Sequence, residues 1–240
     1  AYPATARLQI SLNNLPPAGL NVGNIGLRTT DPFGLQRNYV ITVRVEVAAS
    51  LSQTYLPLVG QNALTAQWID VATSGVGLSL GDDGAQTLPL AFSFPFYGRS
   101  YSQVYVHANG FLSFSQAYPG PDYAANHCLP SILPPNDALF ALWDDLDPGQ
   151  GGRVAYRNSA NYLAVEWRAV PHKSGGASTF QIILRPGGQV QINYGPTIQT
   201  ASATVGAESW DASLAWPVAC NGAGTPPYPG QALLWNTALP

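Results

Sequence analysis

Apolar and polar residues alternate along most of this chain with a period of two, the pattern of strands that bury one face. Near the start, Leu8, Ile10 and Leu12 fall on one side, while Arg7, Gln9 and Ser11 fall on the other. A turn at Leu15-Pro16-Pro17-Ala18-Gly19 leads to a second predicted strand at 22–29, which Asp31-Pro32-Phe33-Gly34 ends. A third strand is predicted at 39–47, where Tyr39, Ile41, Val43, Val45 and Val47 oppose Thr42, Arg44 and Glu46. From Trp68 onward the pattern predicts strands at 76–80, 87–92, 102–107, 111–115, 138–142, 153–157, 162–168, 178–185, 189–194, 203–208 and 231–235. Gly81-Asp82-Asp83-Gly84, Asn109-Gly110, Pro148-Gly149 and Pro186-Gly187-Gly188 separate them as turns. Asn109-Gly110 in particular predicts a two-residue hairpin with positive backbone dihedrals at both positions.

The spacing divides the chain into three. Residues 1–48 supply only three strands, about half of an immunoglobulin-like sandwich. Residues 49–64 shift in composition and read as a linker, with an apolar patch at Tyr55-Leu56-Pro57-Leu58-Val59. Residues 65–240 predict an all-β domain, a β-sandwich or jelly-roll-like arrangement. A half-sandwich leaves open strand edges, which call for a partner from the second domain, an upstream region or another copy of the chain.

Composition narrows the class. Charged residues make up 10% of the chain, against about 25% in ordinary soluble proteins. The 24 Gly, 21 Pro and 12 Tyr suit short strands joined by tight turns. A net charge of −3, with no run of Lys or Arg, gives no footprint for nucleic acid or for an anionic membrane. No apolar run reaches the roughly 20 residues of a spanning helix, so membrane insertion is not expected. The absence of Met, with Ala1-Tyr2-Pro3 at the start, suggests a mature product whose leader or upstream region has been removed. Cys128 and Cys220, 92 positions apart in loop-like sequence, are expected to form a disulfide of an oxidising, extracellular setting. Closing such a loop disfavours the unfolded chain by about 4 to 5 kcal/mol in the entropic model. The alternative is two unpaired thiols.

Two stretches resemble known families. The run from Gly23 to Val47, "GNIGLRTTDPFGLQRNYVITVRVEV", resembles the closing strands of immunoglobulin-like modules of bacterial surface proteins. Three further motifs follow in order: Phe94-Pro95-Phe96-Tyr97-Gly98, then Val104 to Phe114 ("VYVHANGFLSF"), then Asn136 to Leu146 ("NDALFALWDDL"). This set resembles C-terminal β modules of secreted bacterial subtilisin-like proteases and surface proteins, and more distantly the nidogen-like extracellular domain. The resemblance implies an appended extracellular module, and it carries no protease catalytic residue with it.

Candidate chemistry is sparse. Asp144, Asp145 and Asp147 place three carboxylates in four residues, which a bound Ca²⁺ would neutralise. The competing reading is carboxylates that cap turns. His107, His127 and His172 are isolated, Ser113 lies in a strand, and no Gly-x-Ser-x-Gly elbow occurs. Glu166, Glu208 and the Asp144 cluster could supply a carboxylate pair only by proximity in space. Tyr123, Trp210 and Trp216 lie in loop-like sequence and are candidate contacts for a polysaccharide or surface glycan. No catalytic site and no other cofactor is expected. Two functions follow. In one, the chain is a self-assembling subunit of a surface filament, in which a donor strand bearing Leu8, Ile10 and Leu12 completes a sheet containing Ile41, Val43 and Val45 of a neighbouring copy. In the other, it is an accessory substrate- or glycan-binding module of a larger secreted protease.

Overall fold

The computed structural model describes residues 19–30, 36–47, 67–71 and 73–237. The chain divides into two compact units, Ala1–Thr54 and Tyr55–Pro240. In the first, β1 (Gly19–Thr30) and β2 (Gln36–Val47) form an antiparallel hairpin. Its register is unbroken from Gly19 opposite Val47 to Thr30 opposite Gln36. Ile41, Val43 and Val45 stand in β2 opposite Ile25, Gly23 and Asn21. The donor candidate at Leu8, Ile10 and Leu12 and the linker at 49–64 lie outside the described residues.

The second unit is a β-sandwich. Its strands are β3 (Val76–Leu78), β4 (Ala85–Phe96), β5 (Arg99–His107), β6 (Phe111–Ser113), β7 (Ala138–Trp143), β8 (Arg153–Ser159) and β9 (Tyr162–Pro171), then β10 (Ala177–Arg185), β11 (Gln189–Tyr194), β12 (Thr204–Glu208), β13 (Ala215–Cys220), β14 (Ala223–Gly224) and β15 (Ala232–Asn236). One sheet has six strands in the order β15-β11-β10-β9-β8-β3 and the other seven, in the order β14-β13-β12-β7-β6-β5-β4. Every pairing is antiparallel.

Period-two patterning explains the layers. Leu163, Val165 and Trp167 of β9, Phe180, Ile182 and Leu184 of β10, and Val190, Ile192 and Tyr194 of β11 point inward. They meet Phe94 and Phe96 of β4, Val104 and Val106 of β5, Leu112 and Leu139 in one continuous core. Each fully buried side chain of this kind stabilises the fold by roughly 1.5 to 3 kcal/mol. The polar tips of two inner aromatics join the layers. Trp167 Nε1 donates to the carbonyls of His107 (3.1 Å) and Ala108 (3.2 Å), and the Tyr194 hydroxyl donates to that of Ala141 (2.8 Å).

Both outer faces are partly covered as well, which is why β7 is buried at every position. Loop 114–137 lays Tyr118 and Leu129 over Phe111, Ala138, Phe140 and Trp143 on the seven-stranded sheet. On the six-stranded sheet, Ile69 and Val71 lie over Ala155, Ala164 and Ile183. The segment at 67–71 is held there by amide side chains that read its backbone. Gln181 accepts from the Ile69 N–H (3.0 Å) and donates to its carbonyl (2.8 Å), while Asn193 donates to the Gln67 carbonyl (3.1 Å).

Two local expectations change. β13 and β14 occupy sequence that reads as loop, because "WPVACNGAG" is rich in Pro and Gly. The strand accommodates Pro217 by a register shift against β12, beside Gly206. Gly206 has φ 155°, and a Cβ there would lie 2.3 Å from the Trp216 carbonyl oxygen. At Asn109-Gly110 only Gly110 has positive φ (80°), and the ladder closes at Val106 opposite Leu112, so the turn is wider than the predicted two-residue hairpin. Asn109 is buried instead, donating to Asp83 (2.9 Å) and accepting from the Leu146 N–H (2.9 Å).

Candidate functional site

Polar side chains join the turn at 81–84, the loop after β7 and the β9–β10 hairpin. The sequence trio is divided there among three tasks. Asp145 joins Asp82 and Asp83, with ligand oxygens all within 4.8 Å of one another. Burial raises the Asp145 carboxyl above its ordinary range, and the charges of Asp83 and Asp82 raise it further. Asp147 accepts from the Gly149 N–H (2.8 Å) and so caps the turn at Pro148–Gln150. Lys173 supplies a counter-charge, 2.8 Å from Asp82 and 2.9 Å from Asp147, and these two contacts raise its pKa. Asp82, Asp83 and Asp145 are thus an all-oxygen group of the kind hard cations take, and Lys173 links its Asp82 to Asp147.

Asp144 faces the other way, into a buried line of hydrogen bonds. Its Oδ2 lies 2.9 Å from His172 Nδ1 and accepts from the Ser202 hydroxyl (2.7 Å). His172 Nε2 lies 2.7 Å from Ser178 Oγ, which also accepts from the Gln199 N–H (2.9 Å). Every group in the line is satisfied when Nδ1 carries the imidazole proton and Nε2 accepts from Ser178. Burial pushes the Asp144 carboxyl up, but the hydrogen bonds from His172 and Ser202 outweigh it and hold it below the usual carboxylate range. The order Ser–His–Asp is that of a hydrolase triad. Ser178 is wholly buried, however, and its oxygen is engaged by a backbone N–H, so an acyl group has no approach to it. What the line does is fasten the loop after β7 to the β9–β10 hairpin, and through them one sheet to the other. Sequence reasoning missed it because its members are scattered from 144 to 202. The only local signal is that His172 and Ser178 flank one hairpin.

Of the remaining histidines, His107 packs under loop 114–137 and His127 belongs to that loop. His107 stacks on Phe111 at 4.0 Å, and burial lowers its pKa to about 3. Ser113 Oγ lies 2.8 Å from His107 Nε2 and donates to the Gln116 carbonyl. His127 meets Trp143 edge-on at 4.7 Å, and burial lowers its pKa too. Trp143 Nε1 donates to the Tyr123 carbonyl (2.9 Å). Cys128 and Cys220 form the expected disulfide, with Cα atoms 5.4 Å apart, tying this loop to β13.

Compared with known families, residues 48–227 match the NIDO-related family. The chain belongs to the NIDO-related family. The match spans the sandwich from β3 to β14 and leaves the β1–β2 hairpin outside it. No curated protein and no solved structure matches the chain. Family membership and the disulfide together mark an extracellular module. Among the described residues, no helix is long and apolar enough to cross a membrane.

The NIDO-related module disperses the other candidates. Trp216 packs on Trp235 at 4.3 Å, and Tyr123 packs on Tyr118 at 5.1 Å. Trp210 remains 50% exposed, with the Arg99 guanidinium 4.0 Å over its ring. Ile132, Leu133 and Leu214 are also exposed. Glu166 and Glu208 sit on different sheets with separate partners. Glu166 is paired with Arg168 and accepts from Gln181, whereas Glu208 accepts from the Ser131 N–H (2.7 Å). Burial raises the Glu208 pKa to about 7.

Proposed function

We propose that this protein is a secreted, non-enzymatic structural module of a cell surface, which assembles with copies of itself by β-strand complementation. The observation that carries the reading is the β1–β2 hairpin. Its two strands of twelve residues pair along their whole length, and among the described residues no third strand joins either edge. A two-stranded sheet is marginal in water, and an open edge recruits another strand. The alternating sequence at Leu8, Ile10 and Leu12 has the right pattern for a donor. Donation from copy to copy does not close on itself and so builds a filament. The non-enzymatic part of the reading is supported by the way Ser178, His172 and Asp144 are used inside the fold. Sedimentation of the purified chain over a hundredfold range of concentration tests the proposal. A series of growing species supports it, and a single monomeric species at all concentrations contradicts it.

A second reading has its own support. Trp210 is half exposed, and Ile132, Leu133 and Leu214 are exposed large apolar side chains, which suits an accessory module that holds a substrate or glycan for a larger secreted protease. In that case upstream strands of the parent chain complete the hairpin, and the isolated chain stays monomeric.

A further inference from the structure

The two edges of the six-stranded sheet differ. At one stands β3, with only three residues to offer another strand. At the other stands β15, whose five residues, Ala232-Leu233-Leu234-Trp235-Asn236, include no Pro and no charge. Its register against β11 runs without a shift from Ala232 opposite Asn193 to Asn236 opposite Gln189. Pro, charge, bulges and extreme shortness are what keep an edge from pairing further. β15 has none of them.

The ladder fixes which groups this edge presents. The Gln231 carbonyl accepts from the Tyr194 N–H (2.9 Å), and the Thr237 N–H donates to the Gly188 carbonyl (2.7 Å). In an antiparallel pair every second residue turns both backbone groups toward the partner, so the odd-numbered positions here face β11. Ala232 and Leu234 therefore turn N–H and C=O away from it, and among the described residues no strand lies beyond to take them. Their side chains are half-buried on the outer face, while Leu233 and Trp235 enter the core. A strand added here would pair four backbone groups and lie beside Leu234.

The same chain carries a strand suited to that place. Among the described residues β2 is paired on one side only, with β1. Tyr39, Val40, Ile41, Thr42, Val43, Val45 and Val47 make it rich in strand-forming side chains, whereas β1 holds Gly19, Gly23 and Gly26. We propose that the open edge of β15 takes β2 of a neighbouring copy, so that the six-stranded sheet continues into the hairpin of the next molecule. This rests on the reading of the chain as a self-assembling module and gives it a second contact, leaving the β1 edge to the donor segment. Each copy offers its hairpin to one neighbour and its β15 to another, an arrangement that does not close on itself.

The test uses two substitutions in the full chain. Leu234→Pro removes an N–H that points away from β11, which an edge strand tolerates, and Leu234→Lys sets a charge on the same edge. Both are compared with the unaltered chain and with a chain lacking residues 1–12, by sedimentation over a wide range of concentration. The Leu234 variants should keep the near-ultraviolet circular dichroism of the folded module and need a concentration higher by about tenfold or more to assemble. Leu234→Lys decides the matter if the proline variant does not fold. In the unaltered chain, the Ala232 and Leu234 amides should exchange hydrogen about tenfold or more slowly in the assembly than in the dilute monomer. Growth that is lost on truncation but unchanged in the folded Leu234 variants would overturn the β15 contact and leave strand donation standing. Growth lost in the Leu234 variants but kept on truncation would sustain the β15 contact and remove the donor. Unchanged exchange at Ala232 and Leu234 on assembly would overturn the β15 contact alone, and a chain that stays monomeric throughout would overturn both.

Discussion

The two units of this chain treat strand edges in opposite ways. In the sandwich, one edge of the six-stranded sheet is β3, of three residues, and one edge of the seven-stranded sheet is β14, of two. A third edge, β4, carries Pro89 and Pro95 and a register shift between Pro89 and Phe94. Short, bulged and Pro-bearing edges are the devices that prevent further pairing. The hairpin has none of them in its two twelve-residue strands. Among the described residues, three of the four sandwich edges carry these devices and the two hairpin strands carry none, and on that difference the proposed strand addition rests.

The comparison can be broken by showing that the sandwich is as labile as the hairpin. The largest effect is expected from removing the disulfide. Cys128→Ser with Cys220→Ser should cost about 4 to 5 kcal/mol in denaturant unfolding of the module, because the closed loop is long. Trp143→Ala, which opens the aromatic cluster under loop 114–137, should cost about 3 to 5 kcal/mol in the same measurement. Either change falling below about 1 kcal/mol would mean that the loop is not part of the cooperative fold.

The next effect is a pH dependence. The Glu208 pKa is raised to about 7 in the fold, from 4.5, so the folded state binds a proton more tightly than the unfolded chain. Its contribution to stability is therefore complete below pH 4.5 and is lost as pH rises through about 7. Stability should fall by an amount on the order of 1 to 3 kcal/mol between pH 5 and 8. Glu208→Gln should flatten that slope, and an unchanged slope would assign it to other groups. The smallest effect belongs to Gln181→Ala, which removes both hydrogen bonds to Ile69. It should cost about 1 kcal/mol and speed hydrogen exchange in residues 67–71 more than in β9 or β10.

Most of the fold was legible because it rests on alternation. Leu163, Val165 and Trp167 reveal β9 by period two, and the turn at Gly187-Gly188 separates β10 from β11. β13 was not legible, since Pro217 and the glycines around it are ordinarily signs of a loop and only pairing with β12 makes it a strand. The polar sites were legible only in part. The Asp144-Asp145-Asp147 run drew notice by local density, yet what each carboxylate does is set by Asp82, Asp83, His172 and Lys173, which lie 26 to 63 residues away in sequence. The outward backbone groups of Ala232 and Leu234 likewise follow only from the register of β15 against β11.

Strand complementation is tested most directly by negative-stain electron microscopy of the purified full chain beside a chain lacking residues 1–12. Filaments from the full chain that disappear on truncation are the predicted result, with the sandwich still folded in both samples by its disulfide and near-ultraviolet circular dichroism. Monodisperse particles from both chains would contradict it.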